Sequence, residues 1–249
     1  MKIVAIGDIH GRKGWKDIVA REPDADLFIF LGDYVSTHED ISEEQQIENL
    51  YDILGFAESH PDKVVLLRGN HDMQHLGYSW AECSGRFREV EKEMSKSFVK
   101  NMYLADTQWV YVVDNIVFSH AGITKRWFED SGCKTVEEIN MLEPGELFGF
   151  RPCKFSDYYG ISETQGPTWI RPQTLFEYAL PGYTQVVGHT PVKHIFNMVD
   201  AAKRAQEEHK GDPDEDLVFP ERVNGIWLCD CGLKEYLVIE DGKFIVKTI

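Results

Sequence analysis

Short apolar runs recur along the chain, each broken by glycine and polar residues and followed by a stretch of helical character. Lys2 to Ile6 leads into Gly7-Asp8-Ile9-His10-Gly11, and Leu27 to Leu31 into Gly32-Asp33. Val64 to Leu67 leads into Arg68-Gly69-Asn70-His71-Asp72. Ile116 to Phe118 leads into Ser119-His120-Ala121-Gly122, and Gln185 to Val187 into Gly188-His189-Thr190. Each run is continuous and β-branched, as in strands covered on both faces. Between them, Ser42 to Ser59 and Gly85 to Met102 carry helical patterns. The pattern predicts an α/β protein.

Two hairpins are expected. Asp114-Asn115 separates Trp109–Val113 from Ile116–Phe118, and Asp241-Gly242 separates Tyr236–Ile239 from Phe244–Lys247. Ala201 to Asp216 is rich in charge and contains Gly211-Asp212-Pro213, which reads as a solvated helix followed by a loop. The expectation is one domain over residues 1–249, with a charged surface insertion near 200–222.

Composition narrows the function. Of 249 residues, 43% are hydrophobic and 12% aromatic, enough for a large packed core. The formal net charge of -16 argues against binding nucleic acid polymers or anionic membrane through the overall field. A phosphorylated substrate then needs local cations, and bound divalent ions account for part of the acidity. The cysteines at 83, 133, 153, 229 and 231 are odd in number and form no Cys-x-x-Cys pair, so neither a disulfide framework nor a zinc ribbon is expected. Cys229 and Cys231 flank Asp230 with strand-like alternation. Free thiols fit a reducing cytoplasm. The N-terminal run reads as a first strand, not a signal peptide. No segment approaches the roughly 18 apolar residues of a membrane span.

The polar residues at the five strand ends carry the chemistry. Ligands gather outside the carboxyl ends of strands in open α/β sheets. Asp8, His10, Asp33, Asn70, His71, His120 and His189 fall there. Oxygen and imidazole donors of this kind suit hard or borderline divalent metals such as Mn, Fe, Zn and Ni. Asp8 and His10 are two apart, so both can project to one side and reach one ion. The set fills two sites if Asp33 is shared and His71 stays free. Asp8, His10 and Asp33 then hold one ion, and Asp33, Asn70, His120 and His189 the other.

At these residues the sequence resembles the calcineurin-like metallophosphoesterases, most closely the phosphoprotein phosphatase branch with its serine/threonine phosphatases and symmetrical diadenosine tetraphosphatases. The matching motifs are GDIHG (7–11), GDYV (32–35), LRGNHD (67–72), SHAG (119–122) and GHT (188–190). The resemblance implies an αββα sandwich of two mixed β-sheets flanked by helices, with a dinuclear metal site at the strand carboxyl ends. It implies the same metal-ligand assignment, with manganese the foremost expectation for the two divalent ions. It also implies that His71 donates a proton to the leaving oxygen.

Members of this branch usually continue GDYV with Asp-Arg-Gly, where this chain has Ser36-Thr37-His38. Asp72 is then the candidate to orient His71. Arg68 and Arg171 are the candidate phosphate clamps, with Arg12 a weaker one, because a guanidinium fork can hold two phosphate oxygens. The expected reaction is hydrolysis of phosphomonoesters, as by serine/threonine phosphatases, through a hydroxide shared by the two ions. Hydrolysis of dinucleoside polyphosphates or other small nucleotides is the alternative, with Trp169 or Tyr158-Tyr159 available to stack a base. A non-catalytic metal-binding interaction module is the third reading. The expected partner is a phosphorylated protein or small phosphate ester. Oligomeric state is not legible in the sequence.

Overall fold

The computed structural model describes residues 1–78, 83–150, 162–208 and 224–249. In chain order its first half contains β1 (Lys2–Ile6), α1 (Trp15–Arg21), β2 (Leu27–Phe30), α2 (Glu43–Ser59), β3 (Val64–Leu67), α3 (Asn70–His75), α4 (Arg88–Met94) and α5 (Ser97–Asp106). Then come β4 (Thr107–Gln108), β5 (Val110–Val113), β6 (Ile116–Ser119), α6 (Lys125–Ser131), α7 (Pro172–Tyr178) and β7 (Thr184–Val187). The last elements are β8 (Phe196–Asn197), α8 (Met198–Glu208), β9 (Gly225–Leu228), β10 (Glu235–Glu240) and β11 (Lys243–Thr248).

The strands form two sheets, ordered β11-β10-β1-β2-β3-β4 and β5-β6-β7-β9-β8. Both are mixed. β1, β2, β3 and β4 run parallel while β10 joins β1 antiparallel. In the second sheet β6, β7 and β9 are parallel, and β5 and β8 close the edges antiparallel. Period-two alternation sorts each strand between two cores. Ile3, Ala5, Ile29, Leu31, Val65 and Leu67 meet Phe118 and Val186 of the other sheet. Val4, Ile6, Phe28, Phe30, Val64 and Leu66 face the opposite way, onto Trp15 and Ile18 of α1 and Leu50, Ile53 and Leu54 of α2. Beyond the second sheet, Val187, Ile226 and Leu228 pack with Leu175 and Phe176 of α7 and Val199 of α8. The expected αββα sandwich is thus the observed architecture, and continuous apolar strands are explained by cover on both faces.

Local chemistry sets several boundaries. Ser42 and Gln45 form a capping box that starts α2. Both hairpins form, with Val113 paired to Ile116 and Glu240 to Lys243. Asp241 and Gly242 have φ of 50° and 73°, the left-handed pair that a two-residue type I′ turn needs.

Three expectations need correction. The helical pattern over 85–102 resolves into α4 and α5, broken at Ser95 and Lys96. Lys96 is extended (φ -59°, ψ 130°), and the break lets Val90 and Met94 of one helix and Val99 and Tyr103 of the next all reach buried positions. Cys229 and Cys231 do not alternate along a strand, because β9 ends at Leu228; they lie just beyond it, buried between the sheets. The charged helix starts at Met198 rather than Ala201. The loop expected after it, with Gly211-Asp212-Pro213, lies outside the described residues, as do Cys153 and Tyr158-Tyr159. Among the described residues, no helix is long and apolar enough to cross a membrane.

Candidate metal centre and active site

Register aligns the carboxyl ends of the central strands. Ile6 pairs with Phe30, Phe30 with Leu66, and Phe118 with Val186. The residue groups that follow these strands therefore converge at one edge of the sandwich. Asp8 and His10 follow β1, Asp33 follows β2, Asn70 and His71 open α3, His120 follows β6 and His189 follows β7. Asp8 joins the two sheets directly, since its carboxylate accepts the His189 backbone N–H at 2.9 and 3.0 Å.

The turns are tight. His10, Asp33 and His189 have φ of 46°, 52° and 62°. The left-handed region costs a side-chain-bearing residue about 1–2 kcal/mol, and such strain concentrates at functional positions. A Cβ on Gly69 would collide with the Asp33 carboxylate, and one on Gly188 with the Asp8 carboxylate. Gly69→Ala should push Asp33 aside and weaken metal binding by about 10–100-fold, the range seen when groups supporting a ligand are lost. Competition with a graded chelator measures this.

Donor atoms gather into two groups that share one carboxylate. Asp8, His10 and Asp33 form the first, and Asp33, His120 and His189 the second, with the atoms of each group within 4.8 Å of one another. Asn70 adds its Oδ1, 2.8 Å from His120 Nε2 and 3.0 Å from His189 Nδ1. The histidines are held in a definite tautomer. His120 Nδ1–H donates to the Leu31 carbonyl at 2.7 Å, and His10 Nδ1–H donates to the Val35 carbonyl at 3.0 Å. In the neutral rings each Nε2 is left as a bare lone pair. That of His120 faces Asn70 Oδ1 and Asp33 Oδ2 (3.4 Å), and that of His10 faces Asp8 and Asp33 oxygens at 3.9 Å. Acceptors thus confront acceptors in a buried place. A backbone-anchored imidazole is also the usual arrangement of a metal-ligating histidine, and this donor set fits divalent cations.

The ionisation of the bare protein reflects the same crowding. Burial pushes Asp8 up, reinforced by Asp230. Burial also pushes Asp33 up, but His120, His71 and His10 outweigh it and leave its carboxyl lowered. Burial lowers His120, yet Asp33 and Asp8 raise it to about 10. His189 is lowered, by burial first and then by His120.

His71 lies beside the donor groups. Its backbone N–H donates to Asp33 Oδ1 at 2.9 Å, and its ring stands edge-on to His10 with centroids 5.2 Å apart. Burial lowers its pKa to about 4. The expectation that Asp72 orients this ring is corrected by the structure. Asp72 accepts from the backbone N–H groups of Tyr34 (2.8 Å) and Gly69 (3.2 Å) and from the Tyr103 hydroxyl (3.0 Å). It is a buried clasp between the β2 loop, α3 and α5. Among the described residues, His71 Nδ1 has no hydrogen-bond partner.

Arg68 is the second correction. It is 8% exposed. Its Nη2 donates to the carbonyls of Leu104 and Thr107, both at 2.8 Å, and its Nε to Thr107 Oγ1 at 3.0 Å. The guanidinium lies 4.6 Å from the Trp109 ring centroid. It faces inward because it shares strand parity with Leu66, on the helix side of the sheet. Arg68→Ala should destabilise the fold by about 2–4 kcal/mol through unpaired buried carbonyls and lost packing, read by urea unfolding, and leave KM unaltered. Arg12 is tied to Glu39 at 2.7 Å and lies outside the cavity lining.

Arg171 does line the cavity. It caps α7 and donates through Nη1 to Thr190 Oγ1 at 3.1 Å. The cavity, of about 280 Å³, is also lined by His10, Asp33, Asn70, His71 and His189, and by Trp169, His38 and Asp230. Trp169 is 7% exposed and packs against Phe150 and His189 in T-shaped contacts, with ring centroids 5.3 and 5.9 Å apart, so little of its ring is open for stacking. Asp230 escaped the sequence reading. It is a polar residue just past an apolar strand, the same grammar as the other site loops, but its flanking cysteines gave it the look of strand interior.

A sequence model of the calcineurin-like phosphoesterases matches residues 1–213. The chain belongs to the calcineurin-like phosphoesterases. As a calcineurin-like phosphoesterase it is a metal-dependent hydrolase of phosphoric esters. Solved structures agree in fold. A cold-active protein tyrosine phosphatase superposes with a TM-score of 0.61 at 17% identity, covering 99% of this chain and 76% of that one. A protein serine/threonine phosphatase from Saccharomyces cerevisiae, with similarity to human phosphatase PP5, gives a TM-score of 0.56 at 12% identity, covering 100% of this chain and 79% of that one.

Proposed function

We propose that this phosphoesterase hydrolyses phosphomonoesters, including phosphorylated side chains of proteins, with two divalent ions (manganese first among the candidates) held by Asp8, His10, Asp33, Asn70, His120 and His189. The observation that carries the reading is the Asp33 carboxylate, which belongs to both donor groups and opens on the same cavity as His71 and Arg171. When bound, the ions supply Lewis-acid charge and an activated water. The chain's own groups do the rest. Arg171 holds the phosphoryl oxygens with a planar pair of N–H donors. His71 faces the departing oxygen and hands it a proton; a phosphate dianion beside the ring favours its protonated form. The Asp33 oxygen bonded to the His71 backbone fixes the distance between donor groups and proton donor. Phosphatase structures of like fold, one of them described as acting on protein tyrosine and one on serine/threonine, support a monoester substrate over a nucleotide. So does the covered ring of Trp169.

The test is turnover of p-nitrophenyl phosphate, a phosphopeptide and diadenosine tetraphosphate after chelation and re-addition of Mn. The monoesters should be cleaved. Preference for diadenosine tetraphosphate by an order of magnitude would replace this reading with the nucleotide one.

A further inference from the structure

We propose that His38 is a substrate-binding residue of this site, gripping the phosphoryl oxygens together with Arg171. The proposal rests on the phosphomonoesterase reading above and adds a specificity residue to it. Set aside the donor groups and His71, and the described cavity lining holds two side chains able to present positive N–H groups, Arg171 and His38. The demand for them is high. The whole chain carries -16, and Asp33 and Asp230 also line this cavity, so an entering anion meets a repulsive field except where local donors reverse it.

The loop bearing His38 is built to hold it there. Ser36 sits at φ 70°, a left-handed conformation that turns the chain back after Val35. Buried Gln46 of α2 secures the turn, its Oε1 accepting the backbone N–H of Ser36 (2.9 Å) and of Thr37 (3.4 Å), and its Nε2 donating to the Ile41 carbonyl (3.2 Å). Thr37 Oγ1 accepts the Glu39 N–H at 3.0 Å. The backbone on both sides of His38 is thereby fixed while its own side chain is exposed at the rim. Among the described residues no hydrogen bond or ion pair engages its ring. Gly85, at φ 70° on the facing loop, lies beside the ring; a Cβ there would sit 3.6 Å from His38 Cε1, an ordinary contact. A pinned loop ending in an uncommitted imidazole at an anion-binding cavity is a ligand-contact arrangement. The imidazole offers an N–H in either protonation state.

Isothermal titration of inorganic phosphate into the Mn-loaded full chain tests this without turnover. His38→Ala should weaken phosphate binding by about tenfold, as for loss of one hydrogen bond to a charged group. With p-nitrophenyl phosphate the loss should fall on KM rather than kcat. His38→Arg should recover the affinity. Phosphate affinity equal in wild type and His38→Ala would overturn the proposal, as would a His38→Arg variant no better than alanine. If wild type binds phosphate through His38 and cleaves no ester, the proposed activity falls and the role of His38 stands.

Discussion

Asp33→Asn is expected to lose both ions and reduce turnover to background. The substitution is chosen to be mild. Asparagine tolerates the left-handed φ of 52° found at this position and keeps an oxygen for the His71 N–H. What it removes is one negative charge from the carboxylate that both donor groups share. That carboxylate stays ionised despite burial, because His120, His71 and His10 surround it. An amide cannot balance two dications in the same place. Elemental analysis should fall from about two ions per chain to well under one. A variant that retains two ions with wild-type affinity would refute the shared role.

The second large effect is on the leaving group. His71→Asn should keep both ions and lower kcat by about 10²–10⁴-fold for alkyl phosphates, the usual range for a positioned general acid. For p-nitrophenyl phosphate, whose leaving oxygen needs little help from a proton, the loss should be smaller by at least an order of magnitude. His71 is well placed for separating these roles, since its ring is in neither donor group and its backbone is fixed by Asp33 and by His75, whose Nδ1–H donates to the His71 carbonyl at 2.9 Å. Equal losses for aryl and alkyl esters would reassign His71 to binding.

Both predictions concern residues that stand out in the amino-acid sequence, and the reason is physical. A buried parallel strand shows as an unbroken apolar run, and the first polar residues past a glycine mark where it meets the ligand edge. Asp8, Asp33, Asn70 and His189 are legible in this way, and His120 as a polar residue just past its strand and two before Gly122. Both hairpins are legible too, because two-residue turns impose their own residue preferences. What stayed hidden depends on partners distant along the chain. Arg68 looks like a phosphate clamp until the carbonyls of Leu104 and Thr107 and the ring of Trp109 are seen to occupy it. Asp72 adjoins His71 in sequence, yet the first turn of α3 points its carboxylate back at Gly69, Tyr34 and Tyr103. Asp230 was masked by the two cysteines around it. The break at Ser95-Lys96 interrupts no apolar period, since both halves present residues to buried positions.

The link from Asp8 to the His189 backbone has a mechanical consequence. The first sheet supplies Asp8, His10, Asp33 and Asn70 to this edge, and the second supplies His120 and His189. A dication held among them would be a rivet through two plates, and without it that role falls to the weaker pull of Asp33 and Asp8 on a protonated His120. Loss of the ions should therefore loosen the halves of the sandwich against each other at that rim, while the apolar interior behind it stays closed.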